Sequence, residues 1–264
     1  MRGRAAGGEV GRARLEGRER HHAMDGRPVA GPLVRLPGLG APQDPGPLPA
    51  DVERAIAEFT KASAIEPTYA APFAGLADAY TLLRSVYRPP HEVMPLAKAA
   101  AEHALALDPL LAEAHVSLGG VLMYYDFDWA GAERELLRAI ALSPNLAPAH
   151  NSYGLYLAAH GRRDEARLAM ARARELDPLS LPIMVDTGFV HYLARNYEGT
   201  IAENRRALDL DASFWPAHRD LGLGYEHVGR FADAIASLEI ARRLDDNSTI
   251  FEMLAGAYAT WGRT

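Results

Sequence analysis

Residues 111–145 read LAEAHVSLGGVLMYYDFDWAGAERELLRAIALSPN, and this stretch decides the fold. A first helix carries Gly119, the loop Asp126-Phe127-Asp128 turns the chain, a second helix carries Ala132 behind Trp129, and Leu142-Ser143-Pro144 closes the unit. The same unit recurs in both directions. Its closing junction reappears as Ile65-Glu66-Pro67, Leu107-Asp108-Pro109 and Leu176-Asp177-Pro178, so the four prolines lie 42, 35 and 34 residues apart. Ala132 belongs to a column Ala55, Ala97, Ala132, Ala166, Thr200, Ala234, spaced 42, 35, 34, 34 and 34. Gly119 belongs to Ala77, Gly119, Gly154, Gly188, Gly222, Ala255. Three columns sharing one period near 34 define a helix-turn-helix repeat.

Each column has a steric reason. A small residue in the first helix lets the second approach closely, and the Ala facing it does the same in return, so the two pack antiparallel. Large side chains fill the layer at i, i+3/i+4 and i+7, on one helical face: Phe73, Leu76 and Tyr80; Tyr153 and Leu157; Leu221 and Tyr225; Phe251, Leu254 and Tyr258. Trp129, Tyr197 and Phe231 sit three residues before the small residue of a second helix and cover the inner turn. Gly161, Gly229 and Gly262 stand at the ends of first helices, where a left-handed residue is expected.

The residues resemble the tetratricopeptide repeat family, whose signature is a small residue and Tyr in the first helix, then Ala and a bulky residue in the second, then Pro. The resemblance covers about residues 51–264 and implies an all-α fold, an α-solenoid of antiparallel helix pairs wound as a right-handed superhelix. It divides the chain into a half repeat at 51–67, five full repeats to about 246, and a lone first helix to 264. AGLADAY (74–80), the stretch 111–145 and ELDPLSLPI (175–183) look like arrays attached to bacterial winged-helix regulators, nucleotide cyclases and Ser/Thr kinases. None of those partner domains is recognisable, so a fragment of a longer signalling protein is the alternative expectation.

The departures are local. Eight extra residues fall around Arg84–Val93, with Pro89-Pro90 among them, and one falls near Asp126–Asp128. Thr200 and Asn204 replace the small and bulky residues of the fourth full unit and are expected to weaken its layer. Later junctions use Asp211-Ala212 and Asp245-Asp246 in place of Pro. The last helix lacks a partner helix, so Leu254, Tyr258 and Trp261 are expected to lack part of their packing.

Residues 1–50 differ from the rest: ten Gly, seven Pro and eight Arg against five acidic residues. Such a segment buries too little apolar surface to offset its ordering entropy and is read as disordered. Arg12, Arg14, Arg18 and Arg20 suit a contact with nucleic acid or lipid as well as a solvated tail. The net charge of −6 leaves the repeat region acidic, which argues against binding nucleic acid there. There is no cysteine, hence no disulfide or thiolate chemistry, which fits a cytoplasmic protein. No signal peptide or membrane span is visible.

No catalytic constellation appears, so the protein reads as non-enzymatic and cofactor-free. His115, His150 and His218 hold one register in three repeats, roughly 10 Å apart by helix spacing. That is too far to share a metal; packing at helix starts is expected. Asp126 and Asp128 read as turn and cap, and Glu133, Glu135, Asp164 and Glu165 as acids at the positive ends of second helices. There is no phosphate loop, nucleophile elbow or HExxH.

What the resemblance implies about function is a concave groove, lined by first helices, that accepts a peptide or protein. By register its exposed positions include Asp78, Ser117, Asn151, Asp186, Tyr192, Arg219, Asp220 and Glu226, either as partner contacts or as solvated groove residues. Ala74, Asp78, Val116 and Asp186 stand where the family's chaperone-tail clamp has Lys, Asn and Arg, so that clamp is not expected. Self-association stays open.

Overall fold

The computed structural model describes residues 50–84, 87–245 and 248–262. The segment expected to be disordered, residues 1–50, lies outside the described residues but for Ala50. Twelve α-helices and no strand are found among the described residues. A leading helix α1 (Ala50–Ile65) precedes five pairs: α2 (Ala71–Leu83) with α3 (Pro90–Leu107), α4 (Ala112–Val121) with α5 (Trp129–Leu142), α6 (Ala147–Ala159) with α7 (Arg163–Leu176), α8 (Leu181–Leu193) with α9 (Tyr197–Leu210), and α10 (Trp215–His227) with α11 (Phe231–Leu244). The last helix is α12 (Ser248–Trp261). Helices pack onto their chain neighbours, and α2, α4, α6, α8 and α10 also touch one another in succession.

The glycine column sets the closeness of each pair. A Cβ added at Gly119 would stand 2.9 Å from Leu136, at Gly154 3.0 Å from Met170, at Gly188 2.6 Å from Asn204 and at Gly222 2.5 Å from Leu238. The side chain one turn after the Ala column therefore sits directly on the glycine backbone of the preceding helix. Ala97, Ala132, Ala166 and Ala234 are fully buried. Ala104, Ala139, Ala173, Ala207 and Ala241 form a further fully buried column in the last turn of the second helices. There the next unit docks, Ala207 against Ala217 and Ala241 against Ile250.

Each departure has a structural answer. Four extra residues lengthen α3, which begins at Pro90 and places Ala97 eighth, whereas Ala132 is fourth in α5. The rest enlarge the α2–α3 connection. The residue added near Asp126 is absorbed by a π turn, Leu122–Asp126, ending α4. Asp128 then caps α5, its carboxylate accepting from Gly131 N at 2.9 Å. Thr200 and Asn204 are buried like their apolar equivalents, and Asn204 Nδ2 donates to Thr200 O at 2.8 Å. Asn204 Oδ1 receives no hydrogen bond, so the weakness lies in an unmatched acceptor rather than in a gap. At the junction lacking Pro, Asp211 Oδ1 accepts from Ser213 N at 2.8 Å and fixes the turn.

Two expectations are corrected. Gly161 (φ 72°) and Gly229 (φ 77°) are left-handed, but Gly262 is not; the other left-handed residues are Phe127 (φ 54°) and Arg195 (φ 60°). These four positions are 34 residues apart, so the conformation repeats even where glycine does not. In α12, Tyr258 and Trp261 are each 49% exposed, as expected of incomplete packing, and so is Phe251 at 47%, but Leu254 is buried against that expectation.

Candidate functional site

The first helices α2, α4, α6, α8, α10 and α12 lie side by side and form one wall. Its concave centre holds a half-open cavity of about 480 Å³. Leu155 of α6, Phe189 of α8 and Leu223 of α10 line it at one repeat position, and Met253 of α12 adds a fourth apolar side chain. Asp186, Arg219 and Asp220 supply charge from the same helices. Arg84, just after α2, and Tyr124 of the π turn close the other side, with the Arg84 guanidinium 3.8 Å above the Tyr124 ring.

Hydrogen bonds bind the polar residues into a ladder between first helices. Ser117 Oγ donates to the Asp78 carboxylate. Asn151 Nδ2 donates to Asp186 Oδ2 at 2.6 Å; within α10 itself, Arg219 Nε donates to Asp220 Oδ1 at 2.6 Å. At the far rim Tyr192 Oη and His227 Nε2 are 3.0 Å apart, and Thr260 Oγ1 donates to Glu226 Oε1 at 3.3 Å. Of the eight residues expected in the groove, the structure brings Asp186, Arg219 and Asp220 to the cavity and Asn151 behind Asp186. Asp78 with Ser117, and Tyr192 with Glu226, stand on other parts of the ladder; Ser117 and Asp220, expected to be exposed, are instead buried.

Electrostatics distinguish the centre. Burial pushes the Asp186 carboxyl up to about 6, the bond from Asn151 opposes this, and the Asp220 charge adds to it. Asp78 also rises to about 6, chiefly by desolvation. Although open to solvent, it lies where the surrounding first helices displace much of the bulk water. Asp220 is 1% exposed, and burial raises its carboxyl against the pull of Arg219. Burial pushes the Tyr124 phenol up to about 12 and lowers Arg84.

The enlarged α2–α3 connection crosses from the first pair to the last. Tyr87 Oη donates to Asp245 Oδ2 at 2.5 Å, across 158 residues of sequence. The first helix pair and the last are thereby in contact. Burial and the Asp245 carboxylate both raise the Tyr87 phenol.

Other sequence candidates have structural roles. The Nε2 atoms of His115, His150 and His218 stand 3.1, 2.9 and 3.0 Å from the carbonyl oxygen six residues earlier, tying each first helix to its junction. Glu133 and Glu135 do more than complement a helix end. Arg162 Nη1 donates to Glu133 Oε1 at 2.6 Å, joining consecutive units, and Glu135 Oε2 lies 2.6 Å from His115 Nδ1. Among the described residues no cluster of His, Asp and Glu is arranged to hold a metal, and no helix is long and apolar enough to cross a membrane.

Arg84, Tyr124 and the apolar rungs are the cavity residues that sequence reasoning missed. Leu155, Phe189 and Leu223, each 34 apart, left a readable signal. Arg84 and Tyr124 left none, because an irregular connection and a π turn place them.

No protein-family model and no curated protein matches the sequence. Solved structures do match the fold. Cut9–Hcn1, the hetero-tetramer of the APC/C, aligns at 18% identity over 78% of this chain and 40% of that one, with TM-score 0.62. PilW, a type IV pilus biogenesis factor, aligns at 19% identity over 73% of this chain and 89% of that one, with TM-score 0.56. YrrB, described as a TPR protein with an unusual peptide-binding site, aligns at 19% identity over 73% and 94%, with TM-score 0.44. At these identities the likeness concerns architecture. The chain has the fold of a tetratricopeptide-repeat solenoid.

Proposed function

We propose that the chain is a non-enzymatic, cytoplasmic protein-interaction module that holds a peptide segment of a protein partner in its concave groove. One observation carries this reading: consecutive first helices place Leu155, Phe189 and Leu223 beside charged Asp186, Arg219 and Asp220 in a single cavity. An apolar floor with a few convergent polar groups is the usual composition of a ligand site. The cavity spans several repeats, which suits an extended segment. The fold is shared with Cut9, whose structure is a complex with Hcn1. Asn151, Asp186, Arg219 and Asp220 are assigned to partner recognition. Asp78, Ser117, Tyr192 and Glu226 are assigned to the flanking groove walls.

A photo-cross-linking amino acid at Phe189 tests the reading, with the same group at Leu168, an exposed residue of second helix α7, as control. In an extract of the source cells, a discrete protein adduct is expected from position 189 and not from 168. Equal labelling from both positions would refute groove binding.

A further inference from the structure

The acceptors and donors in the cavity are not balanced. Arg84 is turned onto the Tyr124 ring and donates through Nη1 to Thr81 O at 2.8 Å. Arg219 donates through Nε to Asp220 Oδ1, with its guanidinium 5.5 Å from the Trp215 ring centre. Each guanidinium thus has one nitrogen bonded to a protein group, and both cations also act on the Asp186 carboxyl. The acids are not fully matched. Asp220 is 1% exposed, and its Oδ2 receives no hydrogen bond from any described residue. Asn151 must present its NH₂ to the carboxylate of Asp186, which leaves Asn151 Oδ1 as a second buried acceptor without a donor. A buried carboxylate oxygen without a donor is costly, and a charge-assisted hydrogen bond is what removes the cost.

We propose that this cavity receives a lysine or arginine side chain of the bound peptide, its cationic head donating to the partly exposed Asp186 carboxylate and offsetting the charge of buried Asp220 beneath it. The methylene stem of such a side chain lies along Leu155 and Leu223, and Phe189 offers an aromatic face to the cation. Burial and, less, the Asp220 charge hold the Asp186 carboxyl up despite Asn151, Arg219 and Arg84, and a further cation beside it favours its ionised form. The acidity of the repeat region favours the approach of a basic segment. This inference rests on the peptide-binding reading of the groove and adds what the peptide must carry.

The test is selection of a random twelve-residue phage-displayed peptide library on the full chain, followed by fluorescence anisotropy with the enriched peptides. The expected consensus contains one invariant Arg or Lys. Replacing an Arg by citrulline, or a Lys by its acetylated form, weakens binding at least ten-fold. Asp220→Asn and Asp186→Asn each cause a loss of similar size, with thermal melting showing that both variants fold. The peptide replacements leave the protein untouched, so a poorly folding variant does not obscure the result. Enriched peptides that lose binding on Leu155→Arg but share no basic residue would overturn this proposal and leave groove binding standing. A Glu or Asp consensus would overturn it and make Arg84 and Arg219 the operative groups. Absence of any peptide sensitive to Leu155→Arg would overturn both readings, as would a concentration-dependent dimer, abolished by Leu155→Arg, that excludes peptide.

Discussion

Arg195 occupies a position where Gly161 and Gly229 stand in neighbouring units, and it adopts the same left-handed conformation at φ 60°. An L side chain pays for that geometry through Cβ crowding, so Arg195→Gly is expected to stabilise the fold by about 0.5–1 kcal/mol after the added freedom of the unfolded chain is subtracted. A higher urea midpoint is the readout. Asn204 is the polar exception in a column otherwise filled by Leu136, Met170 and Leu238. Asn204→Leu is expected to raise stability by about 1–2 kcal/mol, by removing a buried unmatched acceptor and adding apolar contact. A fall in the melting temperature would show instead that the bond to Thr200 O holds the layer together. Asp186 gives a pH dependence. Its folded carboxyl keeps a proton up to about 6, against 3.8 ordinarily, so the folded state binds more protons between those values. The associated stability is present below 3.8 and is lost as pH rises through 6, roughly 1–2 kcal/mol for a partly solvated site. Denaturation at pH 5 and pH 7.5 should show this difference shrinking in Asp186→Asn.

At the scale of the element, glycine has two unlike uses inside these helices. Gly222 lies against Leu238, where an added Cβ would fall 2.5 Å from Cγ, while a Cβ at Gly256 of α12 would meet nothing within 4 Å. Gly222→Ala is therefore expected to cost about 1–3 kcal/mol through overpacking. Gly256→Ala should gain about 0.5–1 kcal/mol from helix propensity alone. Opposite shifts in two matched melting curves would establish that the column marks close approach of helices rather than flexibility. The same logic explains α12. Its inward residues Ile250, Leu254 and Ala257 are buried against α11, whereas Phe251 and Tyr258 are about half exposed.

Over the whole molecule, each unit is stabilised mainly by its neighbours, so opening should be easiest at the ends. Hydrogen exchange is expected to be slowest in α5 to α9 and fastest in α1 and α12. The Tyr87–Asp245 contact modifies this linear picture by joining the first pair to the last. Tyr87→Phe should cost about 1 kcal/mol and enlarge the radius of gyration seen by small-angle scattering. An unchanged radius would mean that curvature is set by helix packing alone.

The repeat period, the helix pairs and the polar first-helix positions were legible in the sequence, because close helix packing demands small residues at fixed intervals and repetition makes the demand visible. Leu155, Phe189 and Leu223 carried the same periodic mark. Partnership was not legible. That Asn151 supports Asp186, that Asp220 keeps an unmatched oxygen, and that Arg84 lies over Tyr124 all depend on superhelical curvature and on an irregular connection that no period encodes. The period thus determined which residues share a wall. The tertiary structure decided which of them meet, because small rotations between units accumulate over six first helices and bring Tyr87 and Asp245 together.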